Sequence, residues 1–213
     1  MKNEFKNPKL PFEMDIILDA FQLETVLKSA LLDNWTNCEY TLSDYDKNTI
    51  DKLSKNYERE GDYWNEEELK VRFIAIILQL IDIDEPGRMK AFLERNISTK
   101  IGDYLISVNV DLMFASQIGK NTPTHPYFFL QELKKGKKSA NDPEAQMLAA
   151  MLASQKLNND GKPIYGAYQV GRNWIFTILE GKNYHISEQY DVAKPEKLTE
   201  IIYILKRIKD LVL

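Results

Sequence analysis

The stretch YFFLQELKKGKKSANDPEAQ, residues 127–146, decides how this chain is read. An apolar run ends in Glu132, a spacer and Lys134, and then turns basic. Alternate residues of a strand share a face, so Phe128, Leu130, Glu132 and Lys134 are expected on one side and Tyr127, Phe129, Gln131 and Leu133 on the other. A carboxylate and an ammonium then lie together where the apolar strand stops. Either the strand leaves the core through a solvated ion pair, or it ends in an active site. Asp142-Pro143 follows and opens the segment DPEAQMLAAMLASQKLN, with aspartate as N-cap and proline in the first turn. Its Ala and Met content makes this helix apolar nearly all round, which implies burial against a sheet.

Upstream, ISVNVDLMFA (residues 106–115) alternates as a strand. Ile106, Val108, Val110, Leu112 and Phe114 are expected on one face, and Ser107, Asn109 and Asp111 on the other. An aspartate in mid-strand is unfavourable, and burying its charge costs several kcal/mol unless a cation or hydrogen bonds compensate. If this strand pairs with the Glu132 strand, the two carboxylates come within reach of one hard cation. Magnesium takes oxygen ligands at about 2.0–2.1 Å and is often held by only one or two carboxylates. Lys134 would then be a compact charge beside the metal.

The remaining chain supplies layers for such a sheet. The spacing of apolar residues predicts one helix from Met14 to about Leu32 and a more polar one over Asp46–Glu58, together a helical N-terminal extension covering residues 1–61. Asn65 then caps NEEELKVRFIAIILQLI, with three Glu residues at the positive end of the helix dipole. MKAFLERNISTKIGDYLISVNVDLMFASQ reads as two or three strands around a Gly102-Asp103 turn. PIYGAYQVG, NWIFTILEG and NYHIS read as three more strands, and KLTEIIYILKRIKDLVL as a closing amphipathic helix. This order predicts an α/β fold, a mixed central sheet flanked by helices. The aromatics of the later strands read as sheet core and cross-strand pairs.

Composition narrows the function. A net charge of −4 over 213 residues gives no global attraction for nucleic acid, so any such contact must come from a local patch. Cys38 is the single cysteine and His125 and His185 are the two histidines, too few for a disulfide or a cysteine–histidine zinc site. A reducing cytoplasm fits best. FIAIILQLI, the longest apolar run, is about half of the ~20 residues that span a bilayer, so no membrane role is expected. A Walker phosphate loop, a G-x-S-x-G elbow and a dinucleotide-binding glycine motif are all absent from the sequence.

Asp111, then Glu132-Leu133-Lys134 on the next strand, then an apolar helix resembles the PD-(D/E)XK, or restriction-endonuclease-like, nuclease superfamily. The longer string from PYFFLQELK through DPEAQMLAAMLASQ to YGAYQVGRNWIFTILEGKNY is similar to a functionally undefined group of small bacterial members, and the resemblance covers about residues 62–213. Val110 stands where the motif's name has proline. The resemblance implies that Asp111, Glu132 and the backbone carbonyl of Leu133 bind Mg²⁺ or Mn²⁺. Lys134 would orient the attacking water and stabilise developing charge. It further implies a glutamate from the first core helix, for which Glu67 is chosen because it shares a stripe with Val71, Ile74 and Leu78. Gln146, one turn into the helix after the motif, would be a polar neighbour of the site. Lys135, Lys137, Lys138 and Arg172, with Lys182, would contact phosphates. The expected activity is metal-dependent phosphodiester hydrolysis on DNA, with a homodimer where both strands of a duplex are cut. The alternative is a catalytically inactive interaction or regulatory module on the same scaffold.

Overall fold

The computed structural model describes residues 8–119, 121–134 and 142–213. Alternating β-branched and aromatic segments form seven strands of one mixed sheet: β1 (Glu24–Val26), β2 (Lys90–Ile101), β3 (Tyr104–Ile118), β4 (Thr122–Lys134), β5 (Ile164–Val170), β6 (Asn173–Glu180) and β7 (Asn183–Asp191). The spatial order is β1-β7-β6-β5-β4-β3-β2. β1 runs parallel to β7 and β4 parallel to β5, while the other neighbours are antiparallel. The tight turns after β5 and β6 place Gly171 and Gly181 at φ 57° and 59°, where a side chain would be strained.

Helices cover both faces. On one lie α1 (Met14–Phe21) and α6 (Pro143–Asn158), the latter being the crossover between β4 and β5. Asp142 caps α6 by accepting the Glu144 N–H at 3.0 Å, and Ala145 and Met147–Ser154 are buried, as the apolar composition predicts. On the opposite face lie α2 (Ala30–Thr36), α3 (Asp44–Glu60), the helix begun by α4 (Glu66–Leu69) and continued by α5 (Ala75–Ile81), and α7 (Pro195–Val212). Asn65 and Glu68 form a reciprocal capping box at the start of α4. Among the described residues, no helix is long and apolar enough to cross a membrane.

Two sequence expectations change. The single helix from Met14 to Leu32 is divided: Gln22 turns left-handed (φ 53°) and ends α1, β1 joins the sheet, and Ser29 caps α2 by accepting the Leu32 N–H. Three residues are too few to register as alternation, and their backbone groups are satisfied by β7, not by a helix. Trp35 on α2 is fully buried, donates its indole N–H to the Ile204 carbonyl at 2.9 Å and meets Tyr165 and Phe176 edge-on. Leu32, Trp35, Leu42, Ile50, Leu53 and Tyr57 therefore share one core with residues that follow position 62.

The second change concerns β3. Ile106, Val108 and Val110 face the α6 layer, but Leu112 and Phe114 face the α7 layer. β2 switches in step, with Phe92 and Ile97, five residues apart, both in the α6 layer. The register is continuous on either side of the switch, from Leu93↔Leu112 to Arg95↔Val110. Between them Glu94 is left-handed, at φ 54°. One such residue turns the strand path and re-aims the side chains that follow.

Candidate functional site

The polar residues gather where that switch occurs. The β3–β4 ladder runs through Met113↔Leu130 to Leu112↔Gln131, and the next positions in the same register are Asp111 and Glu132. Here the backbone pairing gives way to a side chain: the Leu133 N–H donates to Asp111 Oδ2 at 2.8 Å. Asp111 is 8% exposed and Glu132 1%. Two buried acids thus occupy neighbouring positions at the ladder's end, with the Leu133 peptide against one of them.

The cation that the mid-strand aspartate requires is Lys70. Its Nζ lies 3.4 Å from Asp111 Oδ1 and 3.8 Å from Glu67 Oε1, and it donates to Glu94 Oε1. Lys70 is itself only 8% exposed. Burial disfavours its charged form, but Glu94 and Asp111 outweigh that, and its pKa is raised. Lys70 opens a π turn, Lys70–Ile74, that interrupts the helix between α4 and α5. Lys70, Phe73 and Ile74 lie on the buried side of this segment, and Val71 is 69% exposed. The stripe chosen for Glu67 is therefore corrected: Val71 faces solvent, the Glu67 side chain is 82% exposed, and Glu67 approaches Asp111 only through Lys70.

On the α6 side, Glu132 is the register partner of Tyr168. The phenols of Tyr168 and Tyr184 face Glu144 in the first turn of α6. Burial raises the Glu144 pKa, the Tyr168 hydroxyl opposes that, Asp142 adds to it, and the Tyr184 hydroxyl opposes it again. Burial and the Glu144 carboxylate together push the Tyr168 phenol up. Gln146 is half-buried, and its side-chain oxygen has no hydrogen-bond partner among the described residues.

The expected basic residues are placed unevenly. Lys134 ends β4 opposite Val170, and only its backbone is described. Lys135, Lys137 and Lys138 lie outside the described residues. Arg172 follows β5, whose end lies beside that of β4, and its Nε is 3.8 Å from Asp191 Oδ1. Lys182 stands at the far end of β6, roughly 25 Å away by strand rise, and donates to Gln22 Oε1 at 2.8 Å. It is too distant to share a phosphate track with Arg172, which corrects that expectation.

Sequence reasoning missed Lys70, Glu94, Glu144 and Tyr168. The first carried a signal: Lys70, Phe73, Ile74 and Ile77 follow helical spacing, so a lysine heads an apolar stripe and needs a buried anion. Glu94 carried none, because nothing in a Glu residue announces a left-handed backbone.

Chemically, the arrangement offers hard oxygen donors at a ladder end, with an ammonium in attendance. Among the described residues, no three His, Cys, Asp or Glu side chains are placed to hold a metal ion together. An ammonium already stands among Glu67, Glu94 and Asp111. The fold and site define an α/β protein with a seven-stranded mixed sheet and an acidic cluster at the β3–β4 opening. No protein-family model matches the chain, nor does any curated protein.

Proposed function

We propose that the chain is a magnesium- or manganese-dependent phosphodiester hydrolase, a nuclease acting on DNA. One observation carries this reading: Asp111 and Glu132, both buried acids, occupy neighbouring positions where the β3–β4 ladder stops, ahead of Lys134 and α6. The donor set fits a hard divalent ion, since carboxylate and peptide oxygens are what magnesium takes and two carboxylates suffice. Asp111, Glu132 and the Leu133 carbonyl would hold it, with Glu67 as an outlying acid. When bound, the ion would polarise a phosphoryl oxygen and lower the pKa of a bound water.

The chain's own residues would do the rest. Lys134 would steady the attacking water and the negative charge that develops on phosphorus. The Gln146 amide, whose carbonyl oxygen has no partner among the described residues, would position that water or a phosphate oxygen. Lys135, Lys137, Lys138 and Arg172 follow the ends of β4 and β5 in sequence and would hold the flanking phosphates.

The test is cleavage of supercoiled plasmid, single-stranded DNA and RNA with Mg²⁺ or Mn²⁺. Asp111→Asn, Glu132→Gln and Lys134→Ala should each lower the DNA-cleavage rate by about 100-fold or more without changing the circular dichroism spectrum. Activity unchanged in all three would overturn the reading. A second reading, a non-catalytic interaction module, is favoured by the Lys70–Asp111 pair, which satisfies the acid without a metal. Its mark is a folded wild-type chain that cleaves none of these substrates with either ion.

A further inference from the structure

We infer that Lys70 sets the divalent-ion affinity of this site, its ammonium being the built-in cation that Asp111 must release before it can hold a metal. The inference rests on the metal reading above and adds a residue and a regulation to it. Asp111 has no idle oxygen: Oδ2 accepts the Leu133 N–H, and Oδ1 faces Lys70 Nζ at 3.4 Å. An ion that uses Oδ1 therefore competes with the ammonium.

Two further features make the exchange feasible. The other partners of Lys70 lie toward solvent, Glu67 with 82% of its side chain exposed and Glu94 with 56%. A lysine has a flexible four-carbon stem, so the ammonium can give up Asp111 and keep one of these acids, never standing unpaired in the interior. Charge favours the exchange as well. Glu67, Glu94 and Asp111 bring three negative charges to one ammonium, an excess of two that a divalent ion would cancel with Lys70 still nearby. A monovalent cation, with half the charge, would displace the ammonium less readily.

The experiment pairs a binding measurement with a footprint. Mn²⁺ binding, followed by electron paramagnetic resonance, is compared between wild type and Lys70→Met. In parallel, wild-type Lys70 is acylated with an amine-reactive ester with and without Mn²⁺ and quantified by peptide mass spectrometry, with exposed Lys156 as reference. Lys70→Met should bind Mn²⁺ about tenfold or more tightly than wild type. In wild type, Mn²⁺ should raise Lys70 acylation several-fold while Lys156 stays constant, and Asp111→Asn should abolish that rise. If Lys70→Met fails to fold, the wild-type footprint decides alone. Binding to Lys70→Met and not to wild type supports the inference. Equal Mn²⁺ affinity with unchanged Lys70 acylation overturns it and leaves the metal reading standing. Absence of Mn²⁺ binding in both proteins removes the metal reading and the inference with it.

Discussion

The β5–β6 and β2–β3 hairpins are written in the same kind of sequence and diverge in one respect. Both close on a glycine-led turn and both keep continuous register, over Ile164↔Leu179 to Val170↔Asn173 in one and Lys90↔Ala115 to Ile101↔Tyr104 in the other. In β5–β6 the alternation holds throughout, with Trp174, Phe176 and Ile178 in one layer and Ile175 and Leu179 in the other. In β2–β3 it reverses at Glu94 and Asp111. The regular hairpin is packing alone, whereas the reversed one brings a buried acid to a ladder end and a lysine to meet it. A left-handed non-glycine residue costs about 1–2 kcal/mol, and here that strain coincides with the polar cluster.

Substitutions can break or sharpen this contrast. The largest effect is expected under the regular hairpin. Trp35→Ala removes an indole wedged against Tyr165 and Phe176 and leaves the Ile204 carbonyl without its donor. It should cost about 3–5 kcal/mol in urea unfolding. A loss below about 1 kcal/mol would mean that α2 is not docked on that hairpin.

At the reversed hairpin a smaller and more selective loss is expected. Asp111→Ala strands the Leu133 N–H and takes one anion from Lys70, for about 2–3 kcal/mol. Asp111→Asn keeps an acceptor for Leu133 and should recover part of it. Equal losses in the two variants would show that the hydrogen bond contributes nothing to closing the ladder.

The smallest effect is a pH slope from the α6 side. Burial raises the Glu144 carboxyl above its ordinary 4.5, so the folded state binds the proton more tightly than the unfolded one. The stability this confers is complete below about 4.5 and is lost as pH climbs through the raised value. Glu144→Gln should flatten that decline when denaturation midpoints are compared across the range. Parallel slopes would place the carboxyl in water, away from the two phenols.

Why some of this was legible in the sequence and some was not follows from the same contrast. Caps and periodicity are local, so Asn65, Asp142-Pro143, the buried α6 and the strand pairs could be read directly. The α/β class with a mixed sheet flanked by helices followed from their order. Asp111 stood out because a charge in mid-strand demands a compensating partner, and the structure supplies Lys70 and the Leu133 N–H. What escaped depends on backbone departures that residue type does not encode. The left-handed Glu94 flipped the β3 faces, whereas Lys70 did carry a signal, at the head of the helical stripe of Phe73, Ile74 and Ile77. β1 escaped for another reason, since its pairing with β7 is a decision made about 160 residues away.

That short strand has a practical corollary. A gene trimmed to start at residue 62, the boundary the motif suggests, would encode a polypeptide whose β7 margin has lost its neighbour and whose Tyr165–Phe176 bed has lost its indole cover. A bare β margin beside uncovered aromatics invites self-association. Biochemistry on the acidic cluster accordingly calls for a polypeptide that retains the leading helices, however remote from the chemistry they look.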